Sequence, residues 1–282
     1  LLTIGRQARA RLYDLTPPLP PVPVSPALCL ETGGRLGADG SVVEDLTDQD
    51  LAALRAELAA LAPEAVAICL LFAFQDERFE ARIEASLSDL PAFVCRSSEV
   101  LPEFREYERG MATWMNAYVG PRMARYLTAL ESSLAPARLA VMQSAGVSAE
   151  PAYAARHAVN LLLSGPAGGL VGARYVAAAA GCERLLTFDM GGTSTDVALI
   201  DGELALTSEG RVGPWPVAVP MVDMHTIGAG GGSLARVDHA GMLHVGPQSA
   251  GAAPGPACYG LGGEQATVTD ANVVLGRLPA DL

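Results

Sequence analysis

Apolar residues recur at helical spacing over residues 48–61, with Leu51, Leu54, Leu58 and Leu61 on one face and Thr47 placed to cap the helix. Residues 65–72 are continuously apolar between Pro63 and Gln75, the pattern of a central strand. Helical spacing returns with Phe79, Ile83, Leu87 and Leu90, and a strand is expected around 93–95. Strand, helix and strand in that order imply a sheet covered by helices. Two long helical patterns follow, at 103–118 and 122–134. The charges of Glu103, Arg105, Glu106, Glu108 and Arg109 are expected on a solvated or domain-facing surface.

Composition shifts near Ala135, where a domain boundary is expected to within about ten residues. Residues 138–143 read as a strand, and beyond them nearly every turn is rich in glycine. Ser164-Gly165-Pro166-Ala167-Gly168-Gly169 runs into a small-residue helix over 170–180. Such a helix start offers free N–H groups to an anion, and it equally suits close packing on a sheet. Residues 185–206 then read as three short strands joined by two turns. The second turn, Asp201-Gly202, is an ordinary hairpin signal.

The first turn carries the chemistry. An apolar run ends at Asp189, and Met190-Gly191-Gly192-Thr193-Ser194-Thr195 forces a tight loop before Asp196 opens the next run. Adjacent glycines let the backbone approach a ligand closely, and their N–H groups with the neighbouring hydroxyls make a nest for an anion such as phosphate. A carboxylate beside bound phosphate needs a cation between them, so Asp189 and Asp196 at the two rims imply Mg²⁺ held partly through water. A plain hairpin would need only one glycine and one aspartate.

Charge and composition narrow the partners. The chain has 282 residues, 50% hydrophobic and 18% charged, with a formal net charge of −12, which argues against nucleic acid. No apolar run approaches the roughly 20 residues that cross a bilayer, the first residues do not read as a signal peptide, and a cytoplasmic protein without a membrane partner is expected. All 19 basic residues are arginine. The absence of lysine excludes a Walker A loop and Schiff-base chemistry, so any nucleotide must be held by amides, hydroxyls and metal. The five cysteines have no metal-ligand spacing; Cys69 and Cys95 fit buried thiols, and Cys258 a structural place in its loop. Asp223 and His225 alternate onto one face of a strand, but two groups do not specify a metal site. His239 and His244 fit a surface hairpin. Asp270 and Asn272 fit helix capping better than a site. Residues 17–26, PPLPPVPVSP, read as an extended polyproline connector.

FDMGGTSTDVALI resembles the phosphate loop of the actin, sugar kinase and Hsp70 superfamily. More narrowly, LLSGPAGG, DMHTIGAGGGS, SAGAAPGPACYG, TVTDANVVLGRL and SSEVLPEFREYER resemble the hydantoinase A and 5-oxoprolinase family over nearly the whole chain. The resemblance implies an α/β, actin-like and Hsp70-like ATPase (ribonuclease H-like) fold. Residues 1–135 would end a first domain, and 136–282 would form the core of a second. It implies ATP-dependent opening of a cyclic amide (hydantoin, N-methylhydantoin or 5-oxoproline) by phosphorylation of the amide oxygen. Gly191, Gly192, Thr193 and Ser194 would then cradle phosphate, Asp189 and Asp196 would organise Mg²⁺, and Gly230, Gly231 and Gly232 would approach the nucleotide. The glycine run alone lacks a dinucleotide-binding spacing. A hydantoinase B-like subunit or domain is the implied partner. Ketone carboxylation through an enol phosphate and a non-catalytic interface role are the alternatives. Family members carry another Asp-x-Gly-Gly-Thr loop upstream of the stretch that matches Ile4-Gly5-Arg6-Gln7, and they continue beyond a point matching Leu282. The chain by itself is therefore expected to fold, to bind ATP weakly if at all and to hydrolyse none.

Overall fold

The computed structural model describes residues 22–280. Ile4 to Gln7 and the first half of the expected polyproline connector, residues 17–21, lie outside them. The chain divides into two compact units, one of residues up to Ser164 with Thr207–Met221, the other of Gly165–Leu206 with the residues from Val222 onward.

In the first unit, α1 (Asp48–Leu61) starts as expected. Thr47 and Asp50 form a reciprocal capping box: the Asp50 amide donates to Thr47 Oγ1 at 3.1 Å, and the Thr47 amide to Asp50 Oδ2 at 2.8 Å. The apolar run after it forms a strand only over β1 (Ala65–Ile68). It ends early because side chains capture the next backbone groups: Leu70 N–H donates to Glu80 Oε1 at 2.7 Å, and Leu70 C=O accepts from Arg109 Nη2 at 2.7 Å. After α2 (Arg78–Ser86), β2 (Phe93–Arg96) pairs in parallel with β1, Ala65 opposite Phe93 and Ile68 opposite Arg96.

The two helices expected at 103–118 and 122–134 are one, α3 (Glu106–Leu134), which continues through Pro121. Proline removes one helical hydrogen bond and crowds the carbonyl four residues back, here that of Ala117. Gly120 lets this turn press on β2: a Cβ there would lie 2.5 Å from the Phe93 ring. Arg109, expected at a surface, is fully buried. Its Nε donates to Ser97 Oγ at 3.1 Å and its Nη1 to Glu103 C=O at 3.1 Å, while Ser97 Oγ donates to the equally buried Glu80 at 2.7 Å. Cys95 packs under α3, and burial pushes its thiol up to about 12, as suits an inert core cysteine.

This unit continues past the expected boundary near Ala135. Asn116 of α3 donates to Arg156 C=O at 2.9 Å and accepts from Val159 N–H at 3.0 Å, and Arg156 pairs with both Glu84 and Glu99. The strand expected at 138–143 shrinks to Val141–Met142, paired with Ser148–Ala149.

The second unit begins with α4 (Ser164–Ala179), followed by β3 (Arg184–Met190) and β4 (Thr195–Asp201). β5 (His225–Ile227) completes a three-stranded antiparallel sheet in the order β5-β4-β3. Ala167 and Leu170 of α4 pack on Ala198, Ile200 and Val222. The opposite sheet face carries Leu186, Phe188 and Leu199, each more than two-thirds exposed. A hairpin of β6 (Ser233–Val237) and β7 (Leu243–Ser249) follows, then the short α5 (Val268–Val274). No helix among the described residues is long and apolar enough to cross a membrane.

Candidate phosphate-binding site

The period-2 pattern of residues 185–200 builds the site. β3 and β4 pair so that Asp189 stands directly opposite Asp196, and Met190 opposite Thr195. Cross-strand partners share a sheet face, with Cβ atoms roughly 4.5–5.5 Å apart, so the two carboxylates lie side by side on the face that α4 covers. At the tip, Gly191 N–H closes the hairpin by donating to Ser194 C=O at 2.9 Å. The amides of Gly192, Thr193 and Ser194 and the hydroxyls of Thr193 and Ser194 have no hydrogen-bond partner among the described residues. A row of free donors therefore sits one residue beyond a carboxylate pair.

The two aspartates differ in their surroundings. Asp196 Oδ1 accepts from Thr226 Oγ1 of the adjacent β5 at 2.6 Å. Asp189 is exposed and has no hydrogen-bond or ion-pair partner among the described residues. Both oxygens of Asp189 and Oδ2 of Asp196 are thus free for a cation or water. No group of three or more His, Cys, Asp or Glu side chains is placed to hold a metal among the described residues. Two carboxylates nevertheless fit Mg²⁺, which takes one or two of them and fills its other positions with water and phosphate oxygens. His225 pairs opposite Val197, which puts it on the other sheet face from Asp196.

The glycine run lies against the hairpin. Gly231 N–H donates to Gly191 C=O at 2.9 Å, Gly232 N–H to Gly192 C=O at 2.7 Å, and Gly230 N–H to Ser233 Oγ at 2.8 Å. All three amides are thereby committed to protein acceptors. A Cβ on Gly230 would lie 2.6 Å from Gly191 O and 2.7 Å from Thr193 N, so glycine is required for one loop to reach the other. Thr195 Oγ1 adds a bond to Ala229 C=O at 2.6 Å.

A further layer, missed in the sequence, holds the glycine run. Thr269 donates to Gly231 C=O through both its amide, at 2.8 Å, and its hydroxyl, at 2.9 Å. α5 is fixed by a capping box of Thr267 and Asp270, and Asp270 Oδ1 also accepts from Cys258 N–H at 2.7 Å. Burial opposes ionisation of Asp270, but the bonds from Cys258 and Thr267 outweigh it and hold the carboxyl well below its usual range. The same carboxylate pushes the exposed Cys258 thiol up, which agrees with a structural place for that cysteine. TVTDAN and PACYG thus converge on the Asp189–Asp196 hairpin through Gly231, and the only signal for it in the sequence was the Thr-x-x-Asp capping pattern.

Pro166 and Gly169 of α4 line a cleft of about 370 Å³ against β3 and β4, with Asp189 and Asp196 in its wall. Gly165 and Gly169 have no atom within 4 Å of where a Cβ would stand, so close packing does not account for these glycines.

A glycine-tipped hairpin on a helix-covered antiparallel sheet thus sets free amide donors beside two paired carboxylates. Residues 109–282 match the sequence pattern of the Hydantoinase/oxoprolinase family and residues 1–90 that of the Hydantoinase/oxoprolinase N-terminal region, and the chain belongs to this family. It is 37% identical to the caprolactamase subunit alpha of Pseudomonas jessenii over 98% of this chain and 41% of that protein. It is 34% identical to the acetophenone carboxylase gamma subunit of Aromatoleum aromaticum, over 90% of this chain and 36% of that one. The crystal structure of the ATP-dependent caprolactamase from Pseudomonas jessenii superimposes with a TM-score of 0.80 at 36% identity, covering 97% of this chain and 41% of that one. The chain therefore spans less than half the length of these relatives. The mixed α/β architecture and the family expected from the motifs are both borne out.

Proposed function

We propose that this chain carries an ATP- and Mg²⁺-binding part of an enzyme that uses ATP to open a cyclic amide. The observation that carries the reading is the pairing of Asp189 with Asp196 beside a tip whose amides at 192–194 are unpartnered. Gly192, Thr193 and Ser194 supply donors to phosphate, and Gly191 closes the hairpin that aims them. Asp189 and Asp196 hold Mg²⁺, which when bound neutralises charge on the phosphates. Gly230, Gly231 and Gly232 serve the nucleotide indirectly, by fixing the hairpin.

An unstrained amide ring opens unfavourably near neutral pH, which is the reason for coupling to ATP. The amide oxygen attacks the γ-phosphorus and ADP leaves. Water then adds to the activated carbon, the ring nitrogen departs as an amine, and a second water releases phosphate from the acyl group. One cyclic amide, one ATP and two waters give the amino acid, ADP and phosphate.

The partner in this reading is a hydantoinase B-like subunit or domain, in a multisubunit cytoplasmic enzyme. The subunit names of the caprolactamase and carboxylase relatives support an assembly of that kind. Likeness to the acetophenone carboxylase subunit supports a second reading, in which a ketone is activated as its enol phosphate and carboxylated.

In the assembled enzyme, Asp189→Ala and Asp196→Ala should each abolish ATP turnover while circular dichroism stays unchanged. Unchanged turnover in both variants would sink the assignment and leave the interface role. ATP turnover against hydantoins, 5-oxoproline, lactams and ketones separates amide opening from carboxylation.

A further inference from the structure

One side of α3 carries a ladder of aromatic and arginine side chains. Trp114, Tyr118, Arg122 and Tyr126 follow at intervals of four, so each lies about one turn beyond the last along the same side of the helix. The Trp114 and Tyr118 rings stack with centroids 5.7 Å apart. Trp114 also meets Trp215 edge to face at 5.3 Å, and Trp215 belongs to the hairpin of Gly210–Val212 and Trp215–Val217. Val217, Val219 and Met221 share one core cluster with Met111 and Met115 of α3, which fixes that hairpin against the helix. Tyr118 is thereby held in one orientation although it is 67% exposed, and Tyr126, two turns further on, is 58% exposed.

Charge sets the kind of partner. The chain has 31 acidic residues against 19 arginines, yet no acidic residue stands between Glu108 and Glu131. Arg122 is exposed and has no hydrogen-bond or ion-pair partner among the described residues. Arg125 pairs with Glu64 at 3.0 Å, but these side chains are 67% and 68% exposed, so water screens the pair and exchange for another carboxylate costs little. The ladder is thus a positive, aromatic strip on an acidic molecule. Ordered tryptophan and tyrosine beside arginine is the composition of the energetic centre of protein–protein interfaces, and the positive charge steers a partner that bears carboxylates. Nucleic acid also stacks on such rings, but the net charge of −12 repels it.

We propose that this side of α3 docks the second subunit of the enzyme through a segment rich in carboxylates. Those carboxylates pair with Arg122 and Arg125, while the carbon of the same segment covers Tyr118 and Tyr126. The proposal takes from the proposed function only that a second, hydantoinase B-like subunit exists; the place and the chemistry of the contact come from α3.

The test is assembly with the hydantoinase B-like subunit, its dissociation constant measured by sedimentation at low and at high salt for the unaltered enzyme and four variants. Arg122 makes no contact that folding needs, and a glutamate there adds a helical pair with Arg125, so Arg122→Glu should keep its melting temperature. Arg122→Glu and Tyr118→Ala should each weaken assembly by about tenfold or more. Arg122→Lys should retain most of the affinity, and Tyr175→Ala, at an exposed tyrosine of α4, should leave it unchanged. Salt should weaken the unaltered complex and affect Arg122→Glu less. Unchanged assembly in a folded Arg122→Glu variant would overturn the proposal and leave the two-subunit reading standing, whereas failure of the unaltered chain to assemble at all would defeat both. Two further results would give the strip to another occupant and so overturn the proposal: binding of single-stranded RNA that Arg122→Glu abolishes, or a dimer of the chain alone that Arg122→Glu dissolves.

Discussion

Thr226 Oγ1 donates to Asp196 Oδ1 at 2.6 Å, across the pair of strands in which the two residues stand directly opposite. The bond uses one lone pair of one carboxylate oxygen and fixes the side chain's rotation, leaving Oδ2 directed by its neighbour. Asp189 has no such partner and is exposed, so of the two aspartates Asp196 is the one held in place before a ligand arrives. Groups that orient metal ligands in this way are commonly worth about 10–100-fold in metal affinity or activity. Thr226→Val, which keeps the shape and removes the hydroxyl, should raise the Mg²⁺ concentration for half-maximal ATP turnover by about that factor. Thr226→Ser should restore most of it. A Mg²⁺ dependence identical in all three proteins would exclude the positioning role.

The buried arginine of the first unit gives a stability prediction. Arg109 satisfies Ser97 Oγ, Glu103 C=O and Leu70 C=O, and Glu80 is buried close by on the same serine. Arg109→Ala orphans three acceptors and removes a positive charge that shares Ser97 Oγ with an enclosed carboxylate. Breaking a buried charged network from one side costs about 3–5 kcal/mol, and urea unfolding of the chain should show a loss of that order. A loss below about 1 kcal/mol would mean that water replaces the guanidinium.

Asp270 makes the second unit sensitive to acid in a defined direction. Its carboxyl is held below the ordinary 3.8 by the bonds from Cys258 and Thr267, although burial opposes this. A group depressed in the folded state stabilises above its unfolded pKa, and that stabilisation fades as pH falls through the unfolded and then the folded value. The melting-temperature gap between the unaltered chain and Asp270→Asn should therefore be constant from pH 7 to about 5 and shrink below about 4. A gap that stays constant down to pH 3 would contradict the assignment.

The hairpin that pairs Asp189 with Asp196 was legible because its signals are local. Strands of period 2, a glycine pair and two aspartates occupy about a dozen consecutive residues, and register alone then places Asp189 opposite Asp196. The capping box at Thr47 was legible for the same reason. What escaped depends on contacts distant in sequence. Nothing near Gly231 shows that its amide is spent on Gly191, forty residues earlier, or that Thr269 holds its carbonyl. The charge of Arg109 suggests a surface, and only the meeting of the Leu70 turn, Ser97 and α3 buries it. Pro121 reads as a helix break, yet the helix continues through it.

The two glycine loops should separate fold from ligand binding. At Gly230 an added methyl meets Gly191 O at 2.6 Å and Thr193 N at 2.7 Å, both backbone atoms that cannot move without displacing the hairpin. At Gly192 it meets nothing within 4 Å, so the folded chain has room for it. That open space lies beside the unpartnered amides, where a bound phosphate would stand. Gly230→Ala should therefore lower the melting temperature and weaken Mg·ATP together. Gly192→Ala should leave the melting temperature within about a degree, since surface changes away from packed features rarely exceed ±0.5 kcal/mol. It should still weaken Mg·ATP, because the methyl keeps phosphate from the amides by roughly the value of one or two charged hydrogen bonds, about 1.5–3 kcal/mol each. Thermal melts of both variants, with nucleotide affinity measured in the assembled enzyme, decide the matter. If Gly192→Ala binds Mg·ATP as the unaltered enzyme does, the free amides of the tip are not where phosphate sits.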